Sequence, residues 1–369
     1  MTSIFKSMTG GSTVSVLISF INFLTFVILP SFVSYKSSFA VFSEANIYSG
    51  FYNAIIATSA GSVALLVLNK KNYFHTKLYL MMSLIFMIFF IILSDSQEIR
   101  LILAYALLSL QNYSISSQRY LNDRFLIVSK LAFQPVTFLL SIILQESLGI
   151  KFDWTTLFLV CSIASLVVCR RELVNTFSVI MRYKDSPDTK RLIYLVLACS
   201  SLPLLVQMDL PFIKINNLDI AYFSIVHKII YSIPIAIVGV NVPILLTIFE
   251  KGDRIGFLKM SLSISLITSF IAAIVMFLLD LMTDISFETS LILAVIFIIS
   301  TYSFLNILLS VLAIITSSNV FFIVFSLIII SSLGYFFYVF EYFIIYKGIL
   351  FIIYSLVVLR IYFFRKIYE

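Results

Sequence analysis

A lysine in the middle of a long apolar run is the residue best placed to do chemistry in this sequence. Lys228 lies in IAYFSIVHKIIYSIPIAIVGVNVPILLTIFE, residues 220–250, next to His227. A charge at the bilayer centre costs about 3 kcal/mol on insertion scales, so an ionisable group there faces a bundle interior, a wet cavity or a partner. Lys228 stands about eight residues, roughly 12 Å, inside its run, which is deep for its stem to reach the surface. It therefore predicts contact with a polar or anionic ligand. Asp209 ends the preceding run, so a direct ion pair with Lys228 would have to bridge a depth difference of roughly 8 Å. His227, about 100° round the helix from Lys228, is expected to pack.

Other runs carry polar residues at helical spacing. Lys130, Gln134, Thr137, Ser141 and Gln145 advance by 4, 3, 4 and 4, which puts them on one face. Ser109, Asn112, Ser116 and Arg119 form a second stripe, Ser15, Ser19 and Asn22 a third, and Ser224, Lys228, Tyr231 and Ser232 a fourth. In lipid such a face is either helix-to-helix hydrogen bonding or the wall of a hydrated cavity. Serine and threonine alone favour packing; a lysine or arginine tips the balance toward a cavity. The candidate binding set is Lys228, Lys130, Arg119, Asp209, Gln134, Asn112, Asn22 and Tyr231. Each basic member has a plainer reading: Lys130 can snorkel to the near end of its span, and Arg119 with Arg124 can mark topology. Lys347, near the outer end of the last span, is expected to snorkel. Pro30, Pro135, Pro203, Pro234 and Pro243 inside spans permit kinks, in hinges or in static packing alike.

The elements that must position these residues are membrane spans. The chain has 369 residues, 61% hydrophobic and 12% charged, with mean hydropathy +1.09, where soluble domains carry roughly a quarter charged residues. Cutting at charges and turn residues predicts twelve spans, near 12–35, 48–68, 78–94, 100–118, 124–146 and 154–169, then 191–212, 220–249, 257–280, 288–315, 320–340 and 342–363. The uncharged run from Thr289 to Phe340 has 52 residues, about 78 Å as one helix, so it must fold back. Thr316 to Asn319 is the expected turn. Lys6 and the apolar run after it read as an uncleaved first helix.

With a cytoplasmic N-terminus, the inside links hold Lys6; Lys70, Lys71 and Lys77; Arg119 and Arg124; Arg170, Arg171, Arg182, Lys184, Lys190 and Arg191; Lys251, Arg254 and Lys259; Arg360, Arg365 and Lys366. These eighteen compare with four outside, Lys36, Arg100, Lys151 and Lys214. That positive-inside bias accounts for the net charge of +7 without nucleic acid as a partner. The expected division is a six-helix lobe over 1–169, a basic cytoplasmic linker over 170–190 and a second six-helix lobe over 191–369.

Several chemistries lack their residues. There is no G-x-x-x-x-G-K-[ST] loop, there are two histidines, and no H-E-x-x-H pattern occurs. The three cysteines, Cys161, Cys169 and Cys199, lie in apolar runs and read as small hydrophobes. No metal, no cofactor and no enzymatic activity is expected.

Two stretches resemble the multidrug/oligosaccharidyl-lipid/polysaccharide flippase superfamily, and in particular its O-antigen and polysaccharide repeat-unit flippases. From Met8 to Leu68 these are a Gly-Ser start, a first helix, the aromatic link SYKSSFAVFSEANIYSGFYN and a small-residue second helix; from Asp209 to Pro243 they are an Asp, Ile-rich residues, a short link and Ala-Tyr-Phe-Ser. The first helix departs from some members in having no acidic residue or arginine. The resemblance implies an all-α, MATE-like polytopic membrane protein of two six-helix lobes with both termini cytoplasmic. It implies a flippase in the bacterial inner membrane for undecaprenyl-diphosphate-linked oligosaccharide, an O-antigen, lipopolysaccharide or capsule precursor. Cavity cations would hold the diphosphate, and a polysaccharide polymerase and chain-length regulator would be partners.

Two other classes compete. A cation-coupled multidrug antiporter of the same superfamily would need acidic groups deep in its cavity, and the acids of this chain lie toward span ends. A membrane-embedded polysaccharide polymerase would need a large outer loop with arginines, and no link exceeds about 20 residues, the length of one span.

Overall fold

The computed structural model describes residues 17–57, 60, 74–117, 124–150, 153–182, 196, 200, 202–283, 285–313 and 317–364. Among these there is no strand. The helices are α1 (Leu17–Ser31), α2 (Val33–Tyr52), α3 (Phe74–Ile92), α4 (Ser96–Ser117), α5 (Arg124–Ser147), α6 (Trp154–Val168) and α7 (Arg170–Arg182). They continue as α8 (Asp209–Ile215), α9 (Ile220–Glu250), α10 (Arg254–Met282), α11 (Thr289–Ala313), α12 (Ser317–Ser332) and α13 (Phe340–Phe364). Stretches of α9, α10, α11 and α13 are long and apolar enough to cross a membrane; α1, α6 and parts of α3 and α12 are shorter apolar helices. The protein is thus a multi-pass membrane protein.

α10 shows how burial is arranged. Its inward face holds Ser261, Ser265, Thr268 and Ser269 beside Ala272 and Met276, while Leu266, Phe270, Phe277 and Leu281 point out. The hydroxyls donate to the carbonyl one turn back, Ser261 to Phe257, Ser265 to Ser261 and Thr268 to Ile264. Small hydroxylated residues let helices approach closely, and lipid accepts the large apolar side chains.

The described residues group into two compact units, Ser37–Pro211 and Met1–Lys36 with Phe212–Glu369. In the first, Phe42, Phe138, Trp154 and Phe158 tie α2, α5 and α6 through ring contacts between 5.0 and 6.3 Å. Arg100 near the start of α4 pairs with Asp153, the N-cap of α6, at 2.8 Å. Asp95 caps α4 by accepting from Gln97 and Glu98 N–H, and Glu98 accepts from Asp95 N–H at 3.2 Å, a capping box.

In the second unit the starts of α9, α11 and α13 meet at one end. Tyr222 donates to the Ser286 carbonyl at 3.2 Å, and Phe223 packs on Phe340 at 4.7 Å. Successive helices from α9 to α13 therefore alternate in direction. That end of the unit carries Asp219, Asp280, Glu288 and Glu341; the opposite end carries Lys251, Arg254, Lys259 and Arg360.

Asp219 caps α9, accepting from Ala221 and Tyr222 N–H, and pairs with Lys36 at 3.2 Å. Partial burial alone would raise its carboxyl, but the Tyr222 amide, Lys36 and the Ala221 amide carry it below the ordinary 3.8. A depressed carboxylate stabilises the fold fully above that ordinary value and loses the contribution as pH falls through the folded one. Asp219→Ala should cost about 1 kcal/mol, typical of a lost cap, with little added by the half-exposed ion pair. The melting difference from wild type should shrink below about pH 4, where the wild-type carboxylate is protonated too.

Three expectations change. The stretch Ser34 to Asn53, a link by the family resemblance and left between spans over 36–47 by the hydropathy cut, is helix α2 running into a π-helical turn at Asn53–Ala57. Phe39, Phe42, Ala45, Asn46 and Ser49 form its buried face, and Glu44 and Tyr48 face out. The chain breaks instead at Phe32 (φ −92°, ψ 140°), after a π turn at Leu24–Ile28 and Pro30, which supplies no N–H. Of the fold-back expected at Thr316 to Asn319, Ser317 to Asn319 are the first turn of α12, while Thr316 lies outside the described residues. Residues 170–182 of the basic linker form α7.

Candidate functional site

α9 positions the central candidates. Lys228 is half-buried, with its ammonium 5.4 Å from the centroid of the Phe26 ring on α1. Among the described residues it has no carboxylate and no hydrogen-bond acceptor. Asn22, half-buried, lies one turn before Phe26 on α1. A cation over a ring face gains about 0.5–2 kcal/mol depending on desolvation, less than an anionic partner would add in the same place.

One turn along α9 from His227, Tyr231 is buried, its ring 4.9 Å from both the His227 and Tyr302 rings. Its hydroxyl accepts from Lys347 at 2.9 Å. Lys347 is 0% exposed and lies over the rings of Tyr231, Phe343 and Phe351 at 5.4, 5.5 and 6.0 Å. It does not snorkel, which corrects the expectation from its place near a span end. Seven residues into α13, about 10 Å, its stem is directed inward by the aromatic face of its own helix. His227 packs, as its angular offset from Lys228 implies.

The α5 stripe resolves into packing and pairing. Thr137 and Ser141 donate to carbonyls of their own helix. Lys130 donates to Glu172 of α7 at 2.6 Å, with side-chain exposures of 15% and 5%. Its charge is matched inside the protein, where the sequence suggested a cavity cation or a snorkelling side chain. Gln111 bridges the same corner, donating to the Lys130 carbonyl at 2.9 Å and accepting from Ser165 at 2.8 Å. Gln134 is 5% exposed, and its amide nitrogen has no hydrogen-bond acceptor among the described residues. Asn112 is half-buried on α4, and Asp209 is fully buried at the start of α8. Arg119 lies outside the described residues. Lys228, Tyr231 and Asn22 therefore belong to one unit, and Lys130, Gln134, Asn112 and Asp209 to the other.

Asn46 is a polar junction that sequence reasoning missed. It takes the Tyr105 hydroxyl on its side-chain oxygen at 2.8 Å, and its carbonyl accepts from Gln207 at 3.0 Å. A Cβ on Gly50, one turn along α2, would overlap the Gln207 amide nitrogen. Gly50→Ala should displace Gln207 and cost about 1–3 kcal/mol, as overpacking does. Adding Gln207→Ala should make the double variant more stable than the sum of the single losses in a thermal melt.

No family model and no curated protein matches the sequence. Among solved structures the chain is similar to a MATE crystallised with MaD5, with TM-score 0.56 over 98% of this chain and 95% of that one at 13% identity. A MATE in the bent conformation gives 0.49 at 12% identity, over 95% and 91% of the two chains. The protein has the MATE fold, an all-helical polytopic membrane architecture.

Proposed function

We propose that the protein is a transporter of the multidrug/oligosaccharidyl-lipid/polysaccharide flippase superfamily that moves an undecaprenyl-diphosphate-linked oligosaccharide, an O-antigen or capsule precursor, across the bacterial inner membrane. Transport proceeds by alternating access without covalent chemistry. In this reading twelve spans place both termini in the cytoplasm. The MATE-like fold supports a transporter of the superfamily. The observation that carries the anionic substrate is Lys228, a half-buried cation in a membrane helix with an aromatic ring as its contact and no carboxylate among the described residues. A diphosphate entering there meets a positive charge that the protein has not neutralised, at lower dielectric than water. Asn22 lies one turn before Phe26 on α1, and Tyr231 lies one turn beyond Lys228 on α9, both in the same unit as Lys228.

One observation favours a second reading, a cation-coupled drug antiporter. Asp209 is fully buried, and a buried carboxylate is what exchange of a cation for H+ or Na+ requires.

Proteoliposomes separate the two. With a fluorescent undecaprenyl-diphosphate-linked oligosaccharide in both leaflets, external dithionite should bleach the whole signal when the protein is present and the outer leaflet alone when it is absent. Bleaching confined to the outer leaflet, with ethidium movement driven by a pH gradient and lost in Asp209→Asn, would overturn the flippase reading in favour of the antiporter.

A further inference from the structure

α7 buries acid and hydroxyl and exposes apolar side chains. Glu172 is 4% and Thr176 9% exposed, whereas Val174 is 66% and Phe177 43% exposed. In water this would invert the usual amphipathic helix. Three faces explain it. Glu172 and Thr176, four apart, face the bundle, where Glu172 meets Lys130. Arg170, Val174 and Phe177, at steps of four and three, form a second face; Arg171, Asn175 and Ser178, at the same steps, form a third, and all six are exposed. A helix with one side on protein, one apolar and one polar suits the boundary between a bilayer and water.

The preceding helix leads to that boundary. α6 exposes Val160, Ile163, Val167 and Val168, a stripe that lipid would cover. The chain leaves α6 at Cys169 (φ −96°, ψ 13°), whose thiol-bearing side chain is buried beside Ile115 and Leu131. Arg170 and Arg171 follow at once, and the adjoining acid, Glu172, is turned inward onto Lys130. That pairing leaves the exposed charge on residues 170–178 wholly positive.

We propose that α7 is an interfacial helix that docks on anionic phospholipid of the surrounding bilayer. Arg170 and Arg171 hold the headgroup phosphate, and Val174 and Phe177 enter the acyl boundary. Charge complementarity names the occupant: basic side chains beside an apolar strip select an anionic lipid over a zwitterionic one. The inference does not depend on what the protein transports.

The full-length protein in nanodiscs tests this through a Phe177→Trp variant, with Trp154, which is 1% exposed, subtracted as a constant background. Brominated phosphatidylglycerol in a phosphatidylcholine background should quench the new indole more than brominated phosphatidylcholine at equal mole fraction. Arg170→Gln and Arg171→Gln should each lower the apparent preference for phosphatidylglycerol by about fivefold, the effect of one basic residue at an anionic surface. A Ser178→Trp variant, on the polar face, should respond to aqueous acrylamide and little to either lipid. These positions are exposed, so folding is retained and helicity by circular dichroism verifies it. Equal quenching by the two lipids would overturn the anionic recognition, and no quenching by either would overturn the docking.

Discussion

On the proposed flippase reading, a Lys228→Ala variant should fold, reach the membrane in normal amount and translocate lipid-linked oligosaccharide at least about tenfold more slowly, a loss of about 1.4 kcal/mol or more. Two unit charges 4 Å apart at an effective dielectric of 20 attract by about 4 kcal/mol, and desolvation of the diphosphate takes back part of that. The protein itself loses little, since among the described residues Lys228 has the Phe26 ring as its contact and no salt bridge or hydrogen bond. Lys228→Arg should retain part of the transport, because charge survives while the shape of the donor changes. Dithionite bleaching of the fluorescent substrate measures the rate, and full activity in Lys228→Ala would sink the assignment.

Glu172→Ala should lower stability by about 3 kcal/mol, and with it the amount of folded protein, because it strands the Lys130 ammonium without its carboxylate at the junction of α5 and α7. Removing one member of a buried pair costs far more than removing both. Lys130→Met with Glu172→Gln should therefore recover most of the stability in a detergent melt. The same double variant asks whether Lys130 acts in transport through its charge: recovered folding with recovered transport marks it as a structural residue. Recovered folding with transport still lost would return Lys130 to the binding set. Lys347 poses the same kind of question from inside an aromatic cage. Tyr231→Phe removes its 2.9 Å hydrogen bond and should cost roughly 1.5–3 kcal/mol, the range for bonds to charged groups.

Much was legible in the sequence because the bilayer imposes strong rules. A run of about 20 apolar residues bounded by charges is a span, and the predicted ends of α9, α10, α11 and α13 lie within a few residues of the observed ones. The depth of Lys228 in its run was equally readable, since a charge there costs energy wherever the neighbours lie.

Partners were not legible, because they come from elements far apart in the chain. Lys130 and Lys347 look alike in sequence, each a lysine near a span end that could snorkel. One meets Glu172, 42 residues away, and the other Tyr231, 116 residues away. Ser34 to Asn53 misled for a related reason. Its polar residues interrupt the apolar runs, yet Asn46 accepts from Tyr105 and Gln207, so one face of the stretch is buried as a helix. The sequence by itself determined that this chain lives in a membrane, roughly where its helices cross and which residue carries a charge deep among them. Only the tertiary structure decided which of the described lysines meet a carboxylate or a hydroxyl and which meets an aromatic ring, since a buried charge is settled by the groups packed against it and those are chosen by folding.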